Sequence, residues 1–422
     1  MRVLFVGHGP AHVPWIIPLA WAARLAGHEV RVAVRPQCVP SVTRAGLVAV
    51  PIGDEAAAGV AAARQLGLGP GRLKPRSEGV AALDPDLGDA LIEKMIAVAD
   101  TLTDDLVAFA RFWRPDIVVH DTAAAAGQVA AAALEVPAVG HTWGVSLGVH
   151  CESEAELRPS YARLFERFGV DPLIGPSVWI DPCPPGLRPP HPVRRADMRY
   201  VPYSGPAVLP DWLREARSSE RPLVCVTGGV TTSALDRVRD QVVASLRELG
   251  ADVVLAVTGA QAAEAGGQLP DSVRLVADFP LDVLLAHCDA LVHHGGVGSG
   301  LLAVTHRLPQ LLLPQNAFQE HWAHLVRASG AGDALAAGQD GSESTADVFD
   351  AVRDLLTRPG YRERAAALKN EIDRMPAPAR LVGFLEECVR AGHTEVPVPA
   401  AGTDGSTGAA RPGSKPSLPD AA

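Results

Sequence analysis

Apolar positions along the first half of the chain group into short runs separated by stretches with helical spacing. Five such runs predict strands, at residues 3–6, 29–34, 48–52, 117–119 and 138–141. Between them the longest helical pattern covers residues 91–113, where apolar side chains recur every three or four positions. Strands that alternate with helices predict a parallel sheet with helices on both faces.

The same alternation restarts after a proline-rich segment. Residues 181–213 contain so many prolines that they predict an irregular interdomain linker. Beyond it, strands are predicted at residues 223–227, 252–257, 273–276, 290–293 and 310–313, and helices at residues 233–249 and from Ser299. We therefore predict an α/β protein with two Rossmann-like, doubly wound parallel-sheet domains that face a central cleft.

These patterns set the expected domain boundaries. The N-terminal domain takes residues 1–200, the linker residues 201–220 and the C-terminal domain residues 221–375. Residues 376–392 are expected to form a helix that can return to the first domain, and residues 393–422, rich in small and polar side chains, a disordered tail. The weakly patterned, glycine-rich residues 54–86 predict a long functional or mobile loop.

Composition and charge exclude several classes of function. A formal net charge of -10 leaves no basic stripe for nucleic acid. The six cysteines have no paired spacing, and the short apolar start ends in glycine, which is unlike a signal peptide. No run reaches the roughly 18 apolar residues of a membrane span. We expect a cytoplasmic protein with reduced thiols, and an anionic ligand would need a local binding site.

Residues 290–300 carry the most informative motif. A predicted strand ends here in two histidines and is followed by a glycine-rich turn and a helix. Glycines permit close approach, and backbone N–H groups at a helix N-terminus bind anions, so the motif predicts a diphosphate site. No Gly-Lys-Ser/Thr follows, which argues against a P-loop, and the position outside a first βαβ unit disfavours a dinucleotide site. A glycine-rich turn without a ligand is the structural alternative.

A second motif, residues 7–14, lies between the first predicted strand and helix. It lacks the third glycine of a dinucleotide fingerprint, and the second strand ends in Arg35 without an acidic residue, which argues against NAD. His12 in this loop is a candidate general base because imidazole ordinarily titrates near neutral pH. Asp121 is expected at the same sheet edge, where it can orient His12. The alternatives are a structural or solvated loop histidine and an aspartate that caps the next helix.

Metal chemistry has weak support in the sequence. Asp84-Pro85-Asp86 has the D-x-D pattern that binds a metal in some enzymes, but it lies in the predicted loop beside proline and is interpreted as solvated surface. The scattered histidines show no shared ligand spacing, so no zinc site is predicted. We expect no metal.

Five segments together are similar to one known family: His12, Gly27-His28-Glu29-Val30 and residues 200–205, 293–299 and 309–315. They resemble actinobacterial family 1 glycosyltransferases of the GT-B type, which act in polyketide natural-product biosynthesis and use dTDP-deoxysugars. The resemblance covers about residues 1–390 in order. It implies inverting, metal-independent transfer of a deoxysugar from a dTDP-sugar to a large apolar aglycone. No cofactor is implied, and a UDP-sugar is the alternative donor.

The resemblance also implies roles for individual residues. His12 would deprotonate the acceptor hydroxyl, and Asp121 would support it. The donor diphosphate would be bound by Thr227, Gly228, His294, Gly295, Gly296, Gly298 and Ser299. The nucleobase would lie against Phe279, Pro280 and Leu281.

Sugar and acceptor contacts complete the implied site. Gln319 matches the second residue of an Asp-Gln pair that contacts sugar hydroxyls, but the Asp position is Phe318. A buried hydroxyl left unpaired there costs on the order of 1–3 kcal/mol, which favours a deoxygenated sugar. Trp15 and Trp143 are candidates to line the acceptor pocket, and for Trp15 core packing is at least an equal alternative.

Two other functions stay open at this point. One is a sugar-nucleotide epimerase on the same fold, although the paired carboxylates that it needs are not seen where expected. The other is a non-catalytic or partner-dependent GT-B homologue. Relatives of this kind make a P450-like auxiliary protein a candidate partner, and a homodimer is a further candidate.

Overall fold

The computed structural model describes residues 1–66, 85–144, 157–173, 175–188, 193–216, 221–228, 236–264, 270–315, 317–335 and 345–392. Within these residues the strands form two sheets, and every strand pairing in them is parallel. The α/β class with two doubly wound parallel sheets, predicted from the alternation of apolar runs, is therefore confirmed. No helix in this part of the chain combines the length and the apolar character of a membrane span.

The first sheet is built from β1 (Arg2–Val6), β2 (Glu29–Val34), β3 (Ala49–Pro51), β4 (Ile117–Asp121), β5 (Ala138–His141), β6 (Trp179–Asp181) and β7 (Arg195–Asp197). Their spatial order is β3-β2-β1-β4-β5-β6-β7. Successive side chains of β1 point to opposite faces, so Val3 and Phe5 enter one core cluster and Leu4 and Val6 the other. Both faces are buried, which explains the continuous apolar run.

Helices cover both faces of this sheet. They are α1 (Val13–Leu25), α2 (Val39–Arg44), α3 (Glu55–Leu66), α4 (Pro85–Trp113), α5 (Ala125–Leu134) and α6 (Pro159–Glu166). Ile16 and Ile17 of α1 pack on one face, and Leu102 and Leu106 of α4 pack on the other. Burial of such aliphatic side chains contributes about 1.5–3 kcal/mol each, which fixes α1 and the loop before it against β1.

The second sheet contains β8 (Leu223–Thr227), β9 (Asp252–Val257), β10 (Val273–Ala277), β11 (Ala290–His293), β12 (Gln310–Leu312) and β13 (Gly332–Ala334). Their order is β10-β9-β8-β11-β12-β13. The accompanying helices are α7 (Asp211–Ala216), α8 (Asp236–Glu248), α9 (Gly259–Glu264), α10 (Leu281–Leu285), α11 (Val297–Thr305), α12 (Ala317–Ser329), α13 (Thr345–Thr357), α14 (Pro359–Arg374) and α15 (Pro378–Ala391). The chain order reverses beside β1 and β8, which is where doubly wound sheets bind ligands.

The last helix packs against the first sheet. Leu381 and Leu385 of α15 are fully buried in the same cluster as Ile16 of α1. Just before it, the N–H of Arg199 donates to the carbonyl of Pro376 at 2.7 Å. The two halves of the chain are therefore joined by the return of α15 as well as by the connection through residues 198–210.

Two segments that were expected to be irregular are partly regular, so the expectation of irregular structure was wrong for those residues. The proline-rich segment contains the last residue of β6, all of β7 and the first three residues of α7. β7 lies at the edge of its sheet, where nearby prolines are tolerated better than in a central strand. Residues 55–66 of the expected loop form α3, whose many alanines favour a helix without giving a clear apolar period. Pro85 and Asp86, at the end of the expected loop, begin α4. Residues 67–84, which include Asp84, lie outside the described residues, as do the predicted helix start at Ser233 and the expected tail at 393–422.

Candidate active site

His12 and Asp121 meet at the carboxyl edge of the first sheet. His12 is the N-cap residue of α1, and Asp121 is the last residue of β4, the strand that pairs with β1. Nδ1 of His12 lies 2.8 Å from Oδ2 of Asp121, whose side chain is 2% exposed against 18% for His12. A carboxylate can only accept this hydrogen bond, so the proton resides on Nδ1. Nε2 of His12 therefore carries the lone pair that can accept a proton.

The second oxygen of Asp121 is also engaged. Oδ1 accepts the backbone N–H of Ala123 at 2.8 Å and the hydroxyl of Thr122 at 3.2 Å. The N-cap residue of α5 is Ala124, so Asp121 stabilises the turn before that helix and is not its N-cap. These bonds leave Oδ2 in one orientation, toward His12.

The electrostatics of this pair suit a general base. Burial alone would raise the pKa of Asp121, but the charge of His12 and its hydrogen bond outweigh burial and hold that pKa well below its usual value. The carboxylate is thus ionised near neutral pH and can stabilise the imidazolium formed when His12 takes a proton. Burial lowers the pKa of neighbouring His8 to about 3, so His8 stays neutral and does not compete for Asp121.

On the second sheet, the turn after β11 leads directly into a helix. Gly295 has φ +89°, a conformation that favours glycine, and α11 begins at Val297 with Gly296 as N-cap. The predicted start at Ser299 was two residues late. The N–H groups of Val297, Gly298 and Ser299 occupy the first helical turn, where no intrahelical acceptor exists, as at the helix ends that bind anions in other proteins.

His294 stands beside this helix end. Its side chain is 7% exposed, and burial lowers its pKa to about 4, with the backbone of Thr227 acting in the opposite direction. The imidazole is therefore neutral near pH 7 and would act on a phosphate as a hydrogen-bond donor. Thr227 ends β8 directly opposite His293, and Gly228 follows it, so both lie at the same edge as His294.

One expected donor points elsewhere. The N–H of Gly295 donates to Nδ1 of buried His293 at 3.2 Å, so this amide is already used inside the protein. The expectation that it would bind phosphate is corrected accordingly. Val297 was missed because the helix was expected to begin at Ser299. A predicted helix start directly after Gly296 would have identified the amide of Val297 as a candidate donor.

The remaining donor-side residues lie near this turn. Phe279, Pro280 and Leu281 connect β10 to α10 at the same carboxyl edge, with Pro280 as the N-cap residue. Gln319 in the first turn of α12 is 8% exposed and lies against Gly295. A Cβ added at Gly295 would lie 3.0 Å from the Cβ of Gln319. Phe318 precedes it and is half-buried. The second sheet thus gathers the predicted donor residues at one edge.

The two edges touch through a short segment after β5. Gly144 has φ +92°, and a Cβ added there would lie 2.8 Å from Cγ1 of Val297 at the start of α11. The ring of the preceding Trp143 lies 4.9 Å from that of His12. Trp143 and Gly144 therefore bridge the candidate base and the candidate diphosphate turn. Nε1 of Trp143 is buried and has no hydrogen-bond partner among the described residues.

Trp15, the other acceptor candidate, is mainly a packing residue. It is 9% exposed, its ring lies 5.2 Å from that of Tyr200, and it lies near Gly298. This position joins α1 to α11 and leaves little surface for an acceptor. Among the described residues no group of three or more His, Cys, Asp or Glu side chains could hold a metal ion.

Comparison with known families covers most of the chain. Residues 21–229 match the family described as "Erythromycin biosynthesis protein CIII-like, N-terminal domain", and residues 240–388 match its C-terminal domain. The chain belongs to this CIII-like family. The relative named "TDP-daunosamine transferase DnrS" from Streptomyces peucetius is 37% identical over 92% of this chain and 96% of its own. The "3-alpha-mycarosylerythronolide B desosaminyl transferase" of Saccharopolyspora erythraea is 32% identical over 94% and 100%.

Solved structures agree with this assignment. The glycosyltransferase VinC in complex with dTDP is 30% identical, with a TM-score of 0.75 over 92% of this chain and 100% of its own. Spinosyn rhamnosyltransferase SpnG with spinosyn aglycone is 28% identical, with a TM-score of 0.74 over the same shares. The GT-B fold is confirmed. CIII-like proteins are metal-independent, inverting glycosyltransferases that use nucleotide-sugar donors without a cofactor, which favours a transferase over the epimerase and non-catalytic alternatives.

Proposed function

We propose that the chain transfers a deoxysugar from a dTDP-sugar to a hydroxyl of a polyketide-type aglycone in antibiotic or other secondary-metabolite biosynthesis. The observation that carries this proposal is the contact of Trp143 and Gly144 with His12 on one side and Val297 on the other. It supports the proposal that His12 acts as a base in the same cleft in which the N-terminal end of α11 binds an anion. The relatives named as TDP-sugar and desosaminyl transferases support the donor class, and the aglycone complex of SpnG supports the acceptor class.

The proposed reaction uses His12 to remove a proton. Nε2 takes the proton of the acceptor hydroxyl as the oxygen attacks the anomeric carbon from the face opposite dTDP. The new carbon–oxygen bond forms while the bond to the diphosphate breaks, so the configuration inverts. The proton stays on the His12 imidazolium, which Asp121 stabilises until the proton leaves to solvent.

The leaving diphosphate is stabilised without a metal in this proposal. Its new charge would face the N–H groups of Val297, Gly298 and Ser299 and the positive end of α11. Neutral His294 adds a further donor, with Gly296, Thr227 and Gly228 allowing close approach at the same edge. The nucleobase lies against residues 279–281, where backbone groups can distinguish a pyrimidine. A UDP-sugar is the alternative donor.

The sugar and acceptor assignments rest on three side chains. Gln319 would contact a sugar hydroxyl, and Phe318 would cover a deoxygenated carbon or a methyl group. For the aglycone, Trp143 offers an aromatic face and a buried N–H, whereas Trp15 has little accessible surface. Aromatic side chains with one polar atom suit a large, mostly apolar acceptor with a few oxygens.

Partners and location are part of the same proposal. Among the described residues, Cys38, Cys183, Cys225, Cys288 and Cys388 are free and buried, which supports a reducing compartment such as the cytoplasm. A P450-like auxiliary protein and a homodimer are proposed partners. Light scattering of the purified chain, alone and with a candidate auxiliary protein, tests both.

The direct test is a product screen. The purified chain is incubated with dTDP-deoxysugars, dTDP-glucose and UDP-glucose against macrolide and anthracyclinone aglycones, and products are identified by mass spectrometry. We expect a glycoside from at least one dTDP-deoxysugar and inversion at its anomeric carbon by NMR. If dTDP does not bind in calorimetry, the donor assignment is wrong. If dTDP binds but no tested aglycone reacts, with or without an auxiliary protein, the acceptor assignment is wrong.

A further inference from the structure

His293 is a buried histidine that the proposed reaction does not use. It ends β11, and its neighbour Gln310 begins the adjacent strand β12. Both side chains are 0% exposed. Burial of two polar side chains in a sheet core is costly unless their hydrogen bonds are satisfied, so their partners show what the pair does.

The hydrogen bonds of the pair run in one direction. The N–H of Gly295 can only donate, so Nδ1 of His293, 3.2 Å away, must be the bare acceptor. The single proton is then on Nε2, which donates to Oε1 of Gln310 at 3.0 Å. Nε2 of Gln310 in turn donates to the carbonyl of Gly300 at 3.4 Å. The tautomer of His293 and the orientation of Gln310 are both fixed by this chain.

The residues at the two ends of this series of hydrogen bonds, Gly295 and Gly300, flank the predicted diphosphate turn. Gly295 opens the turn with φ +89°, and Gly300 lies in the first turns of α11, where its N–H bonds back to Gly296 at 3.0 Å. The amides of Val297, Gly298 and Ser299 lie between these anchors. A displacement of either anchor would therefore turn those amides away from a bound phosphate.

The position of His294 depends on the same arrangement. His294 directly follows His293, the last residue of β11, and the planes of the two rings are 89° apart. Holding His293 in place therefore constrains the backbone that carries His294. The His294 ring also lies so close to Gly296 that a Cβ there would be 2.6 Å from its Nε2. Burial, with the nearby His294, lowers the pKa of His293 to about 3, which keeps Nδ1 unprotonated at neutral pH.

We propose that His293 is a positioning residue for the donor diphosphate. Together with Gln310 it holds the turn from Gly295 to Gly300 in the form that presents His294 and the first amides of α11 to the phosphates. This inference rests on the proposed function in one respect, the binding of a nucleoside diphosphate at this turn. It explains why a histidine, which accepts at one nitrogen and donates at the other, occupies a position with no access to substrate.

Binding of dTDP and of thymidine to the full chain, measured by calorimetry, separates positioning from general damage. Thymidine shares the base contacts but lacks the diphosphate. His293→Phe removes both hydrogen bonds, and Gln310→Met keeps the volume of Gln310 but breaks the link to Gly300. We expect each variant to lower the affinity for dTDP by about three- to tenfold, the effect of one net hydrogen bond, and to leave the affinity for thymidine unchanged. His293→Asn, whose Oδ1 can accept from Gly295, should recover part of the dTDP affinity.

A matched control defines what contradicts the inference. Val292→Ala truncates a fully buried neighbour on β11 and should lower the melting temperature without changing the ratio of dTDP to thymidine affinity. Equal weakening of both ligands in the His293 and Gln310 variants, or unchanged dTDP binding in those that fold, would overturn the positioning role. Gln310→Met decides the question if His293→Phe does not fold. If the native chain does not bind dTDP, the proposed function is wrong. If His294→Ala loses dTDP binding while the His293 and Gln310 variants keep it, only the role of His293 is wrong.

Discussion

Nδ1 of His12 lies 2.8 Å from Oδ2 of Asp121, although 109 positions separate the two residues in the chain. The contact exists because β1 and β4 are neighbours in a parallel sheet, so the loop after one strand and the end of the other share an edge. It fixes the tautomer of His12 and the orientation of Nε2. The first two predictions follow from this pair.

Replacement of the base should remove catalysis and spare donor binding. We expect His12→Ala to lower kcat/KM for a neutral hydroxyl acceptor by about 10²- to 10⁴-fold, the usual contribution of a general base. The affinity for dTDP should stay within about twofold, because the diphosphate turn belongs to the other sheet. His324→Ala, at an exposed histidine of α12, is the control and should transfer normally. Turnover of His12→Ala within a few-fold of the native rate would contradict the assignment.

Asp121→Asn tests the tautomer of His12. The amide can donate to Nδ1, which would move the imidazole proton to Nε2 and block the base. We expect a loss of kcat of about 10⁴-fold at most, as in other enzymes where an aspartate fixes a catalytic histidine. Oδ1 of the asparagine can still accept from Ala123, so the melting temperature should change little. A large drop in melting temperature with modest loss of kcat would instead identify Asp121 as a structural residue.

Much of the site could be anticipated because it depends on local patterns. Buried strands show as apolar runs, and in parallel sheets their carboxyl ends gather at one edge, which predicted the proximity of His12 and Asp121. The glycine-rich turn before α11 is likewise a local signal. The roles of these residues remain predictions that the experiments above decide.

Other features depend on packing that the sequence does not display. The N–H of Gly295 donates to a His293 ring that is held by Gln310, a residue seventeen positions after His293 on the adjacent strand. The contact of Gly144 with Val297 joins elements of the two sheets that lie far apart in the chain. Strand β7 is held beside β6 by Arg195, which donates to buried Asp181 at 2.6 Å, so its pairing outweighs the nearby prolines.

The contact between Gly144 and Val297 should be essential for transfer. In Gly144→Ala, the new Cβ would lie 2.8 Å from Cγ1 of Val297. We expect relief of this clash to displace the adjoining Trp143. We expect kcat/KM to fall by about 10²-fold, as for a displacement of about 1 Å in a reacting site. Gly205→Ala is a close control, since Gly205 has a similar φ of +96° but nothing within 4 Å of an added Cβ. Comparable kcat/KM losses in both variants would mean that backbone strain, not this contact, matters.

Phe318 should set the preference between deoxygenated and fully hydroxylated sugars. An aspartate at this position could accept hydrogen bonds from sugar hydroxyls that phenylalanine leaves unpaired. We expect Phe318→Asp to shift the kcat/KM ratio of dTDP-glucose to a dTDP-deoxysugar by about 5- to 150-fold, equivalent to about 1–3 kcal/mol. Phe318→Leu, which stays apolar, should keep the native ratio. Competition between the two donors, followed by mass spectrometry, measures this kcat/KM ratio. An unchanged ratio in Phe318→Asp would show that Phe318 has no role in sugar recognition.

Mild acid should destabilise the protein through its buried histidines. Burial lowers the pKa of His293 to about 3 and of His141 to about 4, from 6.5 in the unfolded chain. Between these values the unfolded state binds more protons, so the free energy of unfolding falls as the pH falls below 6.5. Each such histidine contributes about 1.4 kcal/mol per pH unit. The low pKa of Asp121 has no part in this range, because its contribution is lost only below about pH 4.

Urea unfolding at pH 7.5, 6.5 and 5.5 measures this dependence in the native chain and in variants. We expect His293→Asn to reduce the loss of unfolding free energy between pH 7.5 and 5.5 by about 1 kcal/mol, because asparagine does not titrate. His324→Ala removes an exposed histidine instead and should keep the native dependence. An identical pH dependence in the native chain and His293→Asn would mean that His293 binds a proton in the folded state as readily as in the unfolded one. In that case protonation of His293 would break its hydrogen bond with the N–H of Gly295 in mild acid, and the affinity for dTDP would fall over the same pH range.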